Sequence, residues 1–230
     1  MTQRILITGA SRGIGLELTK QYIHAGARVF AAARRPNQGE LAQLAATHAQ
    51  QLSLITLDVT VEEHIPAAVA AVRAQADGLD VLINNAGMNQ RGQSLGSYSR
   101  AVMLETLHTN AVAPVLIGQA FLGLLRRGNR PRLVQISSQV GSFTWNTNGR
   151  SPLYAASKAA LNMYTRCIAL ESPDVISVVV HPGWVQTDMG GPSAPLAVTD
   201  AVQHLRTLIE GLGPDDNGHF LNYDGRPHPW

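Results

Sequence analysis

The sequence predicts a doubly wound α/β domain, a parallel sheet of about seven strands with helices on both faces. Three observations carry that expectation. Apolar runs alternate with longer segments of helical period from one end of the chain to the other. Runs such as RILIT (residues 4–8), DVLIN (80–84) and ISVVV (176–180) are continuously apolar instead of alternating, as strands buried on both faces are. No internal repeat, low-complexity tract or linker divides the 230 residues, so one domain spanning 1–230 is expected.

The first strand, Arg4–Thr8, runs into TGASRGIG and the helical segment Gly13–Ala25. Glycines 9, 13 and 15 let the backbone turn sharply, and the following helix aims its free N–H groups and positive dipole end at a phosphate. Its place between first strand and first helix makes the T-G-x-x-x-G-x-G loop a dinucleotide cradle of the Rossmann type. Gly9, Ser11, Arg12, Gly13, Ile14 and Gly15 are its candidate contacts.

The second strand, Arg28–Ala32, ends FAAARRP and leads to the helical segment Gly39–Gln50. An NAD site usually places a carboxylate there for the ribose 2′-OH. None occurs from Leu18 to Gly39, and Arg34 and Arg35 arrive instead. Guanidinium groups match a phosphate with paired donors, so NADP(H) is expected in preference to NAD(H), with Arg12 and Arg34 on the 2′-phosphate. The third strand, Leu52–Asp58, ends in Asp58, and Val59 follows it as a candidate cofactor contact. Asp58 is a candidate acceptor for the adenine amino group, or equally an N-cap for the helix Val61–Ala76.

The fourth strand, Val81–Asn84, opens NNAG, and the long helical segment Ser97–Arg126 follows. That segment contains HTNAVAP. Pro114 has no N–H and its ring clashes with the carbonyl four residues back, which belongs to Asn110. A kink there would free that carbonyl for water, as in a proton relay; the alternative is a tolerated bend.

The fifth strand, Arg132–Ser137, runs into ISSQVG; the helix Leu153–Glu171 then carries Tyr154 and Lys158 one turn apart. The chain has two lysines against sixteen arginines, so a lysine here is conspicuous. A free tyrosine has a pKa near ~10, and a neighbouring ammonium favours phenolate. Lysine also offers three donors, enough to hold a ribose hydroxyl at the same time. Ser138, at the strand end, can donate to the same substrate oxygen. The sixth strand, Ile176–His181, the helix Thr199–Gly211 and the short strand Phe220–Asn222 complete the sheet.

Composition excludes several classes. A net charge of +2 is too small and dispersed for nucleic acid. Nothing approaches 18 uninterrupted apolar residues, so no membrane span is expected; a strand-like run from Arg4 leaves no room for a signal peptide, and the cytoplasm is the expected location. Cys167, the single cysteine, lies in an apolar helical pattern and reads as a small core residue.

These pieces together resemble the short-chain dehydrogenase/reductase family over essentially the whole chain. The matching segments are TGASRGIG, NNAG at Asn84–Gly87, Asn110, Ser138, YAASK, and HPGWVQTDM at His181–Met189. The resemblance implies an Asn110–Ser138–Tyr154–Lys158 tetrad and an NADP(H)-dependent exchange of hydride with a small carbonyl or alcohol, Tyr154 acting as acid or base. It implies cofactor contacts from Asn85, Ala86 and Gly87, from Tyr154 and Lys158, and from Pro182, Gly183, Val185 and Thr187. More narrowly, NTNGRSPLYAASKAALN, HPGWVQTDMGG and FLNYDGRPHPW are similar to the C-factor and sniffer-like carbonyl reductases. The loop before Tyr154 is longer than the family pattern, and the segment after Thr187 is short. The family also implies a homo-oligomer, dimer or tetramer, paired through the segments Ser97–Arg126 and Leu153–Glu171. Phe143, Trp145, Met88 and Trp184 are candidate pocket walls, or simple packing.

Two alternatives stand beside this reading. An extended epimerase-type relative would carry T-G-x-x-G-x-x-G and a large C-terminal substrate domain, neither of which is present. A non-catalytic NADP(H)-sensing or signalling protein would use the same fold, though with erosion of the tetrad.

Overall fold

The computed structural model describes residues 2–90, 92 and 94–230. Among them, seven strands form one parallel sheet: β1 (Arg4–Thr8), β2 (Arg28–Ala33), β3 (Leu52–Thr56), β4 (Val81–Asn84), β5 (Arg132–Ile136), β6 (Ile176–His181) and β7 (Phe220–Asn222). Their order is β3-β2-β1-β4-β5-β6-β7, so the chain reverses direction across the sheet between β1 and β4. The helices are α1 (Gly13–His24), α2 (Gly39–Thr47), α3 (His64–Arg73), α4 (Arg100–Leu107), α5 (Ala113–Leu125), α6 (Pro152–Glu171) and α7 (Val198–Gly211).

Strand side chains alternate between two cores, because successive residues of a strand face opposite ways. Ile5, Ile7, Val29, Val81, Ile83 and Val178 join Leu16 and Tyr22 of α1 and Val202 and Leu205 of α7. Leu6, Phe30, Leu82 and Leu133 turn the other way and meet Ile65 of α3 and Ile117 and Phe121 of α5. Strands β1, β2, β4 and β5 therefore feed both cores, as the uninterrupted runs predict. Burying one such side chain contributes about 1.5–3 kcal/mol.

Four elements depart from expectation. β3 stops at Thr56 and α3 starts at His64, not Val61, because the backbone between them folds into turns: Val61 N–H bonds Asp58 O at 3.1 Å and His64 N–H bonds Val61 O at 3.1 Å. The long helical run does not simply kink at Pro114. Residues His108–Val112 form a π-helical turn between α4 and α5, with the Ala113 N–H reaching back five residues to His108 O. Pro114 then occupies the first turn of α5, where its missing N–H is best tolerated. Cys167 is exposed, not a core residue. It lies on α6 near Met163, Tyr164 and Leu170, which are also exposed.

The run Arg100–Leu125 is long enough to cross a membrane and has the required mean hydropathy, 1.3. Its second half serves the sheet, with Ile117, Phe121, Leu124 and Leu125 buried in the second core, while Met103, Leu104 and Val112 are exposed. The C-terminal residues fold back over the last strand. His228 stacks on Phe220 with ring centres 4.4 Å apart, and the Trp230 carbonyl accepts hydrogen bonds from Thr144 N–H and Oγ1 at 3.3 and 3.1 Å. That contact ties the chain end to the loop preceding α6.

Candidate active site

The candidate catalytic and cofactor-binding residues lie in the segments that follow β1 to β6, at or beside the reversal of strand order, where open α/β sheets bind ligands. The turn after β1 is built for close approach. Gly9 has φ +66°, and a side chain there would meet the Ala86 backbone at 2.9 Å. A side chain on Gly15 would strike the Gly9 carbonyl itself. Ser11 and Arg12 are exposed, and Gly13, Ile14 and Gly15 begin α1.

The NNAG segment is braced against this loop. Thr8 Oγ1 accepts hydrogen bonds from the Asn85 and Ala86 N–H groups at 3.0 and 3.1 Å. Asn85 Nδ2 donates to Thr8 O at 2.9 Å and Gly9 O at 3.2 Å. Asn84 donates to Pro114 O at 3.0 Å, so β4 also holds the start of α5. The sequence offered NNAG as a source of cofactor contacts; the Thr8 hydroxyl that braces it was not singled out.

Arg34 and Arg35 are exposed just past β2. Asp58 Oδ1 accepts from Thr60 N–H and Oγ1 at 3.0 and 2.8 Å, with Val59 between them. Burial pushes the Asp58 carboxyl up, but the Thr60 hydrogen bonds and the charges of Arg34 and His64 outweigh it and hold the pKa below its ordinary value. Asp58 therefore caps its own turn rather than α3, while Arg34 is close enough to act on it. Arg12 does not stand free: its Nη1 pairs with Asp188 Oδ2 at 3.0 Å across the cleft, with both side chains largely exposed. A Cβ built on Gly13 would lie 3.4 Å from Thr187 Cγ2, so the Gly loop and the segment after β6 close on each other. In that segment Pro182 and Val185 are buried, Gly183 has φ +85°, and Thr187 Oγ1 accepts from Gly190 N–H at 3.1 Å.

At the reacting end, Tyr154 and Lys158 share one face of α6. Lys158 is 3% exposed, its Nζ donating to Ile136 O at 2.8 Å and lying 5.7 Å from the Tyr154 ring centre. Burial drives its pKa down to about 7. Burial likewise pushes the Tyr154 hydroxyl up to about 12, only partly offset by the nearby Ser138 hydroxyl. Without a cofactor, both groups are held toward their neutral forms. Gly87 sits against the lysine: a Cβ there would be 3.8 Å from Nζ and 3.3 Å from Asn110 Oδ1.

Asn110 is fully buried in the π turn and clamps Met88 from both sides. Its Oδ1 accepts from Met88 N–H and its Nδ2 donates to Met88 O, each at 2.8 Å. Nδ2 also donates to Ser157 Oγ at 3.0 Å, and Ser157 Oγ donates to Tyr154 O at 2.7 Å. Asn110 is thus linked to α6 by its side chain, through a serine that sequence reasoning missed. Ser137 was missed too; its hydroxyl donates to Asn162 Oδ1 at 2.6 Å and pins the end of β5 to α6. The spacing of Ser157 and Asn162, three and eight residues after Tyr154, was the signal available. Of the expected pocket walls, Phe143 is 89% exposed, Trp145 packs toward His228 with ring centres 5.9 Å apart, and Trp184 donates to Gly190 O at 2.9 Å. Met88 contributes its backbone to the Asn110 clamp.

The site fits a nicotinamide dinucleotide. The side-chain-free cradle at Gly9 and Gly15 admits a pyrophosphate to the α1 N-terminus. The opening at Gly87 leads to the only buried ammonium in the cleft among the described residues.

Comparison with known proteins agrees. A sequence model of the short chain dehydrogenase family matches residues 3–195. A protein named C-signal from Myxococcus xanthus is 42% identical over 154 residues, covering 66% of this chain and 93% of that protein. The carbonyl reductase Sniffer of D. melanogaster superposes over 100% of both chains with a TM-score of 0.96 and 34% identity. An NADPH-bound carbonyl reductase from chicken fatty liver gives a TM-score of 0.92 and 34% identity, over 100% of this chain and 99% of that one.

Proposed function

The chain belongs to the short-chain dehydrogenase family of NAD(P)-dependent oxidoreductases, and from that premise we propose that it reduces a small carbonyl compound with NADPH, Tyr154 serving as the proton donor. The observation that carries the reading is the convergence of Ser138, Tyr154 and buried Lys158 beside the Gly87 opening. The resemblance to an NADPH-bound carbonyl reductase supports the reaction class.

The nicotinamide, when bound, supplies the hydride. The protein's part is protonic and positional. Ser138 stands close enough to Tyr154 to lower its pKa, so a carbonyl oxygen entering between them meets two hydroxyl donors. With its pKa pushed up to about 12, Tyr154 holds its proton throughout the neutral range, as a general acid must. Lys158 approaches the ring side of Tyr154 and has two Nζ hydrogens beyond its Ile136 bond, enough to hold a ribose hydroxyl. A protonated Lys158 would offset the phenolate left after proton transfer. Asn110 and Ser157 keep Met88 and the start of α6 in register around these groups.

NADP(H) is favoured over NAD(H) by the exposed Arg34 and Arg35 and by the missing carboxylate after β2. Arg12 joins them only on leaving Asp188. The exposed apolar side chains Met103 and Leu104 on α4 and Met163, Tyr164 and Leu170 on α6 support a homo-oligomer through that face. The lone, unpaired, exposed cysteine suits a reducing compartment such as the cytoplasm.

A second reading, an NADP(H)-responsive signalling protein, is favoured by the likeness to the protein named C-signal. NADPH consumption screened over aldehydes, ketones and quinones, with product identification, separates the two. Turnover of at least one carbonyl is expected; cofactor binding with no turnover of any class would favour the signalling protein.

A further inference from the structure

A cavity of about 470 Å³ opens at the amino ends of β1, β4 and β5, on the edge of the sheet away from the active site. Thr2, Gln3, Arg4, Asp80, Arg130 and Arg132 line it, together with Asn129 and Glu210. Its charges do not balance. Asp80 is spent on Arg4 and Asn129: Oδ2 accepts from Arg4 N at 2.7 Å and Nε at 3.1 Å, and Oδ1 from Arg4 Nη2 at 2.8 Å and Asn129 N at 2.6 Å. Glu210 pairs with Arg206 at 3.0 Å. That leaves Arg130 and Arg132 with no carboxylate in ion-pair reach among the described residues.

Arg132 is 3% exposed, and its Nε has no hydrogen-bond partner. Its one bond, from Nη2 to Glu210 O, is stretched to 3.5 Å. Arg130 stands beside it in the left-handed region (φ +51°), its Nη2 donating only to Leu212 O at 2.9 Å. Burial and the neighbouring Arg130 charge depress the Arg132 pKa by more than Tyr22, Asp80 and Glu210, acting at longer range than an ion pair, raise it, so the two guanidiniums feel one another. A buried, unpaired cation is costly, and a second one beside it adds repulsion. A water, which occupies about 30 Å³, would satisfy Nε but would not answer the charge.

We propose that this cavity binds a phosphate-type dianion, free or as the monoester of a small organic group, between Arg130 and Arg132. Two unpaired guanidiniums match two negative charges, and their forked donors fit a tetrahedral oxyanion better than a point charge. The volume exceeds what a bare phosphate fills, which leaves room for the organic part of a monoester.

Thermal unfolding of the protein saturated with NADP⁺ tests this, because the cofactor then fills its own phosphate cradle. Inorganic phosphate and glycerol 3-phosphate are titrated against chloride at matched ionic strength. The expected result is a saturable rise of about 3–6 °C at roughly tenfold excess over Kd. It should be absent in Arg130→Asn and Arg132→Met and retained in Arg34→Ala. Arg130→Asn keeps the left-handed turn, which Asn tolerates, and changes an exposed side chain, so it reports even where Arg132→Met does not fold. A stronger response to glycerol 3-phosphate identifies a monoester site, and an equal one a free-phosphate site. No saturable rise, an equal rise in chloride, or a rise that survives Arg130→Asn overturns the proposal.

Discussion

Lys158 Nζ lies 5.7 Å from the centre of the Tyr154 ring, yet its hydrogen bond goes to the carbonyl oxygen of Ile136, 2.8 Å away. The lysine is anchored to the end of β5 and faces the tyrosine without bonding to it. Burial moves the two pKa values apart, down to about 7 for the lysine and up to about 12 for the tyrosine. The proton therefore rests on Tyr154, the state needed for carbonyl reduction.

That arrangement predicts what removing the lysine does to rate. If Lys158 only held the ribose, saturating NADPH would restore turnover in Lys158→Met. Because its charge also offsets the phenolate, turnover should stay low at saturation. That charge is lost as Lys158 deprotonates near pH 7, so wild-type carbonyl reduction should fall as pH rises through about 7, and the Met variant should show no such fall. Steady-state rates from pH 6 to 10 check both. Native turnover with a native pH profile would leave Lys158 a ribose anchor alone.

The same burial sets a pH dependence of stability. Unfolded Lys158 titrates at the ordinary lysine value of 10.5 and folded Lys158 at about 7, so between those values the unfolded chain holds the extra proton. Stability then rises with pH, by up to ~1.4 kcal/mol per unit. Between pH 7.5 and 9, wild type should gain about 2 kcal/mol relative to Lys158→Met in urea unfolding. Tyr154, raised to about 12, works in the opposite sense only above pH 10 and is common to both proteins. Parallel stability curves would show that the amine is not desolvated.

Arg34 carries the cofactor preference. Losing a charge-assisted phosphate contact costs roughly ten- to a hundredfold in affinity. Arg34→Ala should weaken NADPH by that factor and NADH little, measured by fluorescence titration. Asp188→Asn, which frees Arg12 from its pair, should tighten NADPH more than NADH. Equal changes for the two cofactors would remove the arginines from 2′-phosphate recognition.

Asn110 is tested by Asn110→Leu, which keeps the volume and leaves the Met88 N–H and carbonyl unpaired. An orphaned buried group costs about 1–3 kcal/mol, and that loss is expected in chemical denaturation. Ser157→Ala removes only the link to α6, so it should lower turnover with a smaller stability loss. A Ser157→Ala enzyme with native turnover would confine Asn110 to holding Met88.

Most of the fold was legible in the sequence, because each core strand announces its burial on both faces by an uninterrupted apolar run. The site was legible where residue type alone carries chemistry, as at Gly9, Tyr154 and Lys158. It was less so where function rests on partners distant in sequence. Thr8 reaches Asn85, and Arg12 reaches Asp188, through pairings that only the folded sheet creates. The π turn at Asn110 was visible as a proline out of place, but not in its form, since helix periodicity does not say how a missing N–H is accommodated. Cys167 misled because an apolar helical stripe looks the same whether it faces a core or the exposed side of α6.

The most direct test of the account is the turnover of Tyr154→Phe on any carbonyl that wild type reduces, with NADPH affinity measured alongside. The substitution keeps the ring beside Lys158 and removes only the hydroxyl that faces Ser138. General acid catalysis contributes about 10²–10⁴-fold, so kcat at saturating NADPH should fall by at least that much while the Kd for NADPH stays within about twofold. A Phe variant with near-native kcat would contradict the assignment of Tyr154 as proton donor.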